Sequence, residues 1–356
     1  MGHDFTCTWN LLGHAIIYSQ LKPKGARQMS TIYTNRANLP LSLAVWLTHD
    51  TYDHDERSTQ ISATSLMRSV RQTVLAARVP EEDRISDITD VAASRIGSAI
   101  HDMIESAWVT NYRQNMSRLG IPEKVITKVR VNPSADDLED YPDTIPVYLE
   151  QRSEREIDGF IVSGKFDFVG DGRLEDFKST GTYTYLNKTN DEKYILQGSI
   201  YRWLNPDIIT RNEMAIAFIF KDWSAAKAAA SSNYPSTPML EYVLPLKSIT
   251  ETEGYVRTKL AQIKQFTDAP EDQIPECTPE DLWRKPTVWK YYKKPEAKRA
   301  TKVHTNAAEA YAFANLNGGF VREFPGGVTA CKYCDAFSVC TQKDAYLASG
   351  ELIIKT

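Results

Sequence analysis

The chain has 356 residues, a net charge of −4, 42% hydrophobic residues and 25% charged residues. This composition excludes disorder over most of the length, and the charge excludes a global basic field, so a nucleic-acid partner would need a local patch. No apolar run approaches a membrane span, and the early LLGHAIIYSQL (11–21) carries a histidine and lacks a small-residue cleavage site, so we read a cytoplasmic protein without a signal peptide.

Residues 1–59 read as an N-terminal extension without an assigned role; 1–28 look detached, and Met29 is an alternative start. QISATSLMRSVRQTVLAAR (60–78) predicts a helix capped by Ser62 or Thr64. A longer helix is expected from near Asp87 to about Gly120, with Ile96, Ile100, Met103, Ile104 and Ala107 at helical spacing. The acidic, breaker-rich 130–145 reads as a loop. Strands are expected at 146–157, 160–169 and 173–179, then a helix at 191–204, strands at 214–223 and 239–246, and a helix at 248–266. This order implies an α/β core over 60–268 with a mixed sheet flanked by helices. The remainder, 269–356, reads as a loop-like tail.

The stretch GKFDFVGDGRLEDFKST (164–180) forms a hairpin in this reading, turned at Gly170-Asp171-Gly172. Strand alternation places Asp167 opposite both Phe166 and Phe168. It places Leu174, Asp176 and Lys178 on one face, with Glu175, Phe177 and Ser179 on the other. Two carboxylates on neighbouring strands suit Mg²⁺ or Mn²⁺, and a lysine beside them can orient a water and meet charge growing on a phosphate. Taken alone, the stretch is better read as a surface hairpin with a salt bridge. Two helices change that balance. His101 lies beside Ile100 and Ile104, where a histidine is usually a satisfied boundary residue but can also present a ring nitrogen to a metal. Gln197 and Tyr201 lie one turn apart on the helix after the hairpin.

Four pieces follow in order: Gly97 and His101 on a helix, Gly164 and Asp167 on a strand, Asp176, Lys178 and Thr180 on the next, and Gln197 and Tyr201 on a helix. This order resembles the RecB-like branch of the PD-(D/E)XK nucleases over roughly residues 60–223. The resemblance implies a restriction-endonuclease-like core. It implies that His101, Asp167, Asp176 and the carbonyl of Phe177 hold a divalent metal, that Lys178 positions the attacking water, and that Gln197 and Tyr201 contact DNA or buttress the site. Phe166 stands where the family's name-giving proline would precede the aspartate, a departure shared by many RecB-like members.

Five cysteines occur, four of them late: Cys277, Cys331, Cys334 and Cys340. Four clustered thiolates fit a [4Fe–4S] cluster or structural zinc. The resemblance favours iron–sulphur, although its relatives take the first ligand from before the core. Here Cys7 is the upstream candidate, and Cys277 fits better. The stretch WRKPTVWKYYKKPEAKRATKVH (283–304) holds eight Lys and Arg against one acid, Glu296, with aromatics interleaved. Trp289, Lys290, Tyr292, Lys293, Lys294, Lys298 and Arg299 are the expected DNA contacts, the bases gripping phosphates and the rings stacking on unpaired bases.

The expected activity is therefore metal-dependent phosphodiester hydrolysis by an exonuclease at DNA ends, in recombination, repair or phage DNA metabolism. A structure-specific or CRISPR-adaptation-type endonuclease is the alternative within the class. A non-catalytic DNA- or partner-binding protein is the alternative outside it. No phosphate loop is present, so unwinding would need a helicase, and a recombination or single-strand-binding protein is a further expected partner.

Overall fold

A computed structural model describes residues 31–49, 57 and 59–354. The readings of residues 1–28, Met29 and Cys7 lie outside the described residues. The chain enters through β1 (Ile32–Thr34) and α1 (Leu41–Thr48). The helix expected over 60–78 is instead three elements: β2 (Gln60–Ser62), α2 (Ala63–Leu66) and α3 (Val70–Ala77). Two serines divide it. Ser62 accepts from the amide of Ser65 and Ser69 from that of Gln72, so each starts a new helix.

Next, β3 (Ile85–Asp87) pairs in parallel with β1 and leads into α4 (Ile88–Arg118). Both ends of α4 follow the sequence. Asp87 caps it, and Gly120 takes φ +76° just beyond its end. Its apolar stripe does not. Ile96 is 39% and Met103 69% exposed, and Ala107 is exposed too. The packed stripe is Ile104, Trp108, Tyr112 and Met116, spaced by four, and non-helical dihedrals at Asn111 break the regular 3.6-residue drift.

Asp87 also ties β1 to α4. Its carboxylate accepts from Thr89 Oγ1 (2.6 Å), Thr34 Oγ1 (2.8 Å), and the amides of Arg36 (2.9 Å) and Thr89 (3.0 Å). These bonds, Thr89's first, hold it well below the usual carboxylate range. A depressed folded-state pKa contributes stability above the unfolded value and loses it as pH falls. Asp87→Ala is therefore expected to cost about 1–3 kcal/mol at neutral pH. In chemical denaturation, the gap to wild type should narrow as pH drops below about 4.

The acidic stretch read as a loop contains structure. After α5 (Glu123–Ile126) come β4 (Val129–Val131) and α6 (Ala135–Asp140), the latter held by a Ser134–Asp137 capping box. The acids sit in the first turn of α6, where a helix N-terminus favours them. Then β5 (Ile145–Ile157), β6 (Phe160–Gly170) and β7 (Arg173–Thr180) form the expected meander. After the unforeseen α7 (Thr182–Asn187) come α8 (Asp191–Leu204), β8 (Glu213–Phe220), the short α9 (Ala225–Ala230), β9 (Met239–Pro245) and α10 (Ile249–Phe266).

These strands make one mixed seven-stranded sheet, in the order β4-β5-β6-β7-β8-β9 with β2 parallel to β6. Since β7 and β8 are parallel, their link must cross over, and α8 is the crossover helix. It packs Tyr194, Ile200, Tyr201 and Trp203 into the main core with Val256, Leu260 and Ile263 of α10. On α4, Ile104, Trp108, Tyr112 and Met116 join a second cluster around Phe168 and Phe177. Helices thus cover the sheet in two separate apolar layers, with the β6–β7 hairpin contributing to both.

The tail is more ordered than its prolines suggest. β10 (Val288–Tyr292) lies between β11 (Lys302–His304) and β12 (Phe320–Phe324), both antiparallel to it. α11 (Ala307–Asn317) covers them through Phe313, edge-on to the fully buried Tyr291. α12 (Gln342–Ser349) follows. The strand signal in VWKYY and FVREF is their β-branched and aromatic content, without period-2 alternation, and the surrounding turn residues obscured it. Among the described residues, no helix is long and apolar enough to cross a membrane.

Candidate active site

The β6–β7 turn is built for tightness. Asp171 and Gly172 both have positive φ (+47° and +78°), which suits a two-residue turn between right-twisted strands. Pairing runs from Gly170–Arg173 to Phe168–Glu175 and stops. Beyond it, the Phe177 amide donates to Asp167 Oδ2 at 2.8 Å. A side-chain carboxylate has taken the place of a main-chain acceptor, so the strands part there.

The same level is irregular on the other side. Glu150 of β5 has φ +49°, and the β5–β6 ladder skips from Leu149–Phe168 to Gln151–Phe166. Simple alternation fails across this step. Phe166 packs in the main core, whereas Phe168 packs against Trp108 of α4, 5.1 Å between ring centroids. The expectation that both rings share the face opposite Asp167 is therefore corrected. The predicted separation of Leu174 from Phe177 is observed.

His101 reaches this break from α4. Its Nε2 lies 3.2 Å from the Phe177 carbonyl, and its Nδ1 lies 3.5 Å from Glu150 Oε1 and 3.6 Å from Asp167 Oδ1. Glu150 also pairs with Lys165 at 2.5 Å. Ligand atoms of His101, Glu150 and Asp167 all lie within 4.8 Å of one another. Glu150 was not anticipated. Its only trace in the sequence is a carboxylate closing the apolar run Val147–Leu149, and its unusual backbone left no signal.

Asp176 is 1% exposed. Its Oδ2 makes no well-aligned hydrogen bond, and its counter-charge is Lys178 Nζ at 2.5 Å. Burial disfavours charge on Lys178, but Asp176 and Asp167 outweigh it, so the lysine is held as an ammonium. Burial and the charge of Asp176 push Asp167 up to about 7. Burial pulls the His101 ring down, but Glu150 and Asp167 carry it above its ordinary value. Lys165 answers Glu150 and Lys178 answers Asp176, whereas Asp167, among hard oxygen and imidazole donors, is the carboxylate whose charge is left disfavoured. A divalent cation fits that donor set.

Gln197 and Tyr201 are both buried, and Gln197 Nε2 donates to Tyr201 Oη at 3.0 Å. A Cβ at Gly164 would sit 2.8 Å from Leu204 and 3.0 Å from the Tyr201 ring, so this glycine lets α8 close on β6. The pair stands in a bracing position inside the core. Gly97 has no such constraint, its nearest neighbour being Ser179 Oγ at 3.7 Å.

Cys277, Cys331, Cys334 and Cys340 are free and half-buried. Burial first, and the neighbouring cysteines after it, push Cys331 up to about 11. The wall beside them is α3: Ser69 Oγ lies 3.2 Å from the Cys277 sulfur, and Arg71 Nε donates to Cys340 Sγ at 3.4 Å. Arg68 pairs with Asp335 at 2.6 Å. The tail is thus laced to the start of the core.

In the basic stretch, Lys293, Lys294, Lys298 and Arg299 are exposed on the β10–β11 connection. Tyr292 is 6% exposed and stacked on Phe320, so it cannot offer a face to a base, which corrects that expectation. The apolar side of β10 needs Tyr292 for its own packing. Trp289 is half-buried and bonds to Glu323, and Lys290 lies over the Phe324 ring.

No family model and no curated protein matches the chain. Among solved structures, the crystal structure of SSO0001 is similar over 64% of this chain and 85% of its own, at 16% identity and a TM-score of 0.38. A phage-related exonuclease from Haemophilus somnus 129PT is similar over 57% of this chain and 94% of its own, at 11% identity and a TM-score of 0.24.

Proposed function

We propose that this protein is a divalent-metal-dependent deoxyribonuclease of the RecB-like kind, acting as an exonuclease on DNA ends. The observation that carries the reading is the meeting of His101, Asp167 and the Phe177 carbonyl at one broken rung of the sheet, with the buried Asp176–Lys178 pair close enough to act on the charge of Asp167. A structural salt bridge does not require two buried carboxylates at the same place, because their repulsion costs stability.

Asp167 and His101 would hold the cation, with Asp176 and the Phe177 carbonyl beside them; the cation would supply Lewis acidity toward a phosphoryl oxygen and acidify a water. Lys178 is an ammonium, so its part is to orient the attacking water and meet charge growing on the phosphate, not to take a proton. Glu150 holds the His101 ring through Nδ1 and is itself held by Lys165. Gln197 and Tyr201 brace α8 behind the hairpin.

Four half-buried thiols near enough to bear on one another, with the Arg71 guanidinium donating to Cys340, support a thiolate-ligated group. A [4Fe–4S] cluster is our reading, with structural zinc as the alternative. It would pin the tail to α3, and the exposed lysines of the β10–β11 connection would grip phosphates.

Digestion of end-labelled linear DNA beside a closed circle, in Mg²⁺, Mn²⁺ or EDTA, tests the proposal. Metal-dependent loss of linear DNA alone is expected. Cutting of the circle would replace the exonuclease with an endonuclease, and no cutting of either by freshly purified protein would overturn the nuclease reading.

A further inference from the structure

Among the described residues of the tail, the rings of Trp283, Tyr311 and Tyr333 are open to water, and the first and last of these lie together. Trp283 is 51% and Tyr333 63% exposed. Their centroids are 6.1 Å apart, and the rings are tilted by 39°. Tyr333 lies between Cys331 and Cys334, whereas Trp283 precedes β10, so the fold brings two distant segments together at this point.

The backbone at Trp283 is unusual. It has φ +46°, a region that bulky residues seldom adopt without cause. Its neighbours hold it there. Leu282 is buried, and its carbonyl accepts the amides of Thr329 and Ala330 at 3.1 Å; Arg284 is bonded to Glu351. The segment is anchored on both sides, yet the indole between the anchors points its area at solvent.

Charge and position indicate what would cover it. Lys193 Nζ lies 5.5 Å from the Trp283 ring centroid. Lys332, beside Tyr333, is exposed, and Asp335 is neutralised by Arg68. Lys193 is followed on α8 by Tyr194, whose ring centroid lies 5.7 Å from Lys178 Nζ. Lys193 is exposed and Tyr194 is buried, so the aromatic pair and the ring beside Lys178 lie on different faces of the same helix. Flat aromatic faces flanked by ammonium groups match a nucleobase and its phosphate. A base within a duplex has both faces covered by its stacked neighbours, so the base that could lie on these rings is an unpaired one.

Resting on the nuclease reading above, we propose that Trp283 and Tyr333, with Lys193, form a stacking platform for an unpaired base, so that the substrate is a single-stranded or frayed DNA end. The platform holds such an end at the exposed face of α8 that carries Lys193.

The test is binding by the full-length protein as purified, without added Mg²⁺ or Mn²⁺, read as fluorescence anisotropy of a labelled oligothymidylate and of a blunt duplex of equal length. Trp283→Ala and Tyr333→Ala are each expected to weaken oligothymidylate binding by about 5- to 150-fold, while leaving duplex affinity in place. Trp283→Phe and Tyr333→Phe should retain most of the affinity. Should Trp283→Ala not fold, Tyr333→Ala decides alone. Unchanged oligothymidylate affinity in the alanine variants would overturn the platform and leave the rings to a protein partner. Equal losses on both DNAs, or no single-strand binding by the wild type, would overturn it too. Because binding is read without added Mg²⁺ or Mn²⁺, ring-dependent binding in a protein that cuts nothing would keep the platform and remove the nuclease.

Discussion

Asp167→Asn is expected to abolish cleavage and, in EDTA, to make the protein more stable. The asparagine keeps an acceptor for the Phe177 amide while removing a buried negative charge that faces Asp176. Burial and Asp176 raise the folded-state pKa of Asp167 to about 7, against about 3.9 unfolded. A carboxylate raised in the folded state binds its proton more tightly there, so wild-type stability should fall as pH rises from about 4 to 7. The variant should therefore be more stable than wild type above about pH 7 and should gain nothing below about pH 4. Urea denaturation across that range reads the effect directly. A variant less stable than wild type at pH 8 would mean that the Asp167 charge is already compensated within the protein and needs no cation. Lost activity with gained stability is the pattern of a residue kept for chemistry.

Lys178→Ala is expected to lower metal-dependent cleavage by about 10²- to 10⁴-fold, the usual loss for a group that stabilises charge or handles a proton in the transition state. It should also destabilise the metal-free protein. Asp176 is almost fully buried, and Lys178 is its counter-charge, so removing the ammonium leaves a buried charge unpaired at a cost of about 3–5 kcal/mol. Activity must therefore be compared well below the variant's own melting temperature. Lys178→Arg should not restore the rate, because a planar fork does not replace a compact ammonium at 2.5 Å from a carboxylate. Cleavage at the wild-type rate by folded Lys178→Ala would remove the lysine from the chemistry.

The parts of this molecule that the sequence foretold are those where one local rule acts. The meander, α8, β8, β9 and α10 follow period 2 or 3.6, and Asp87 and Gly120 mark the ends of α4. Serine caps cut the helix expected over 60–78, because Ser62 and Ser69 each compete for a helix start. Glu150 was invisible for a different reason: its role depends on a positive φ and a skipped rung, which arise from tertiary packing. The same break moved Phe168 to the α4 side, where strand alternation does not place it. In the tail, residue type suggested an exposed ring at Tyr292, but the three-stranded sheet buries it. The exposed ring is Trp283, held by anchors more than forty residues farther along the chain.

The central claim is that the broken rung around Asp167 holds a divalent cation. Calorimetric titration of Mn²⁺ into wild-type protein and into Asp167→Asn, both stripped with EDTA and desalted, tests it most directly. Saturable binding to the wild type is expected, lost or weakened more than about tenfold in the variant, which corresponds to about 1.4 kcal/mol or more. No binding to the wild type, or equal binding to both proteins, would contradict it.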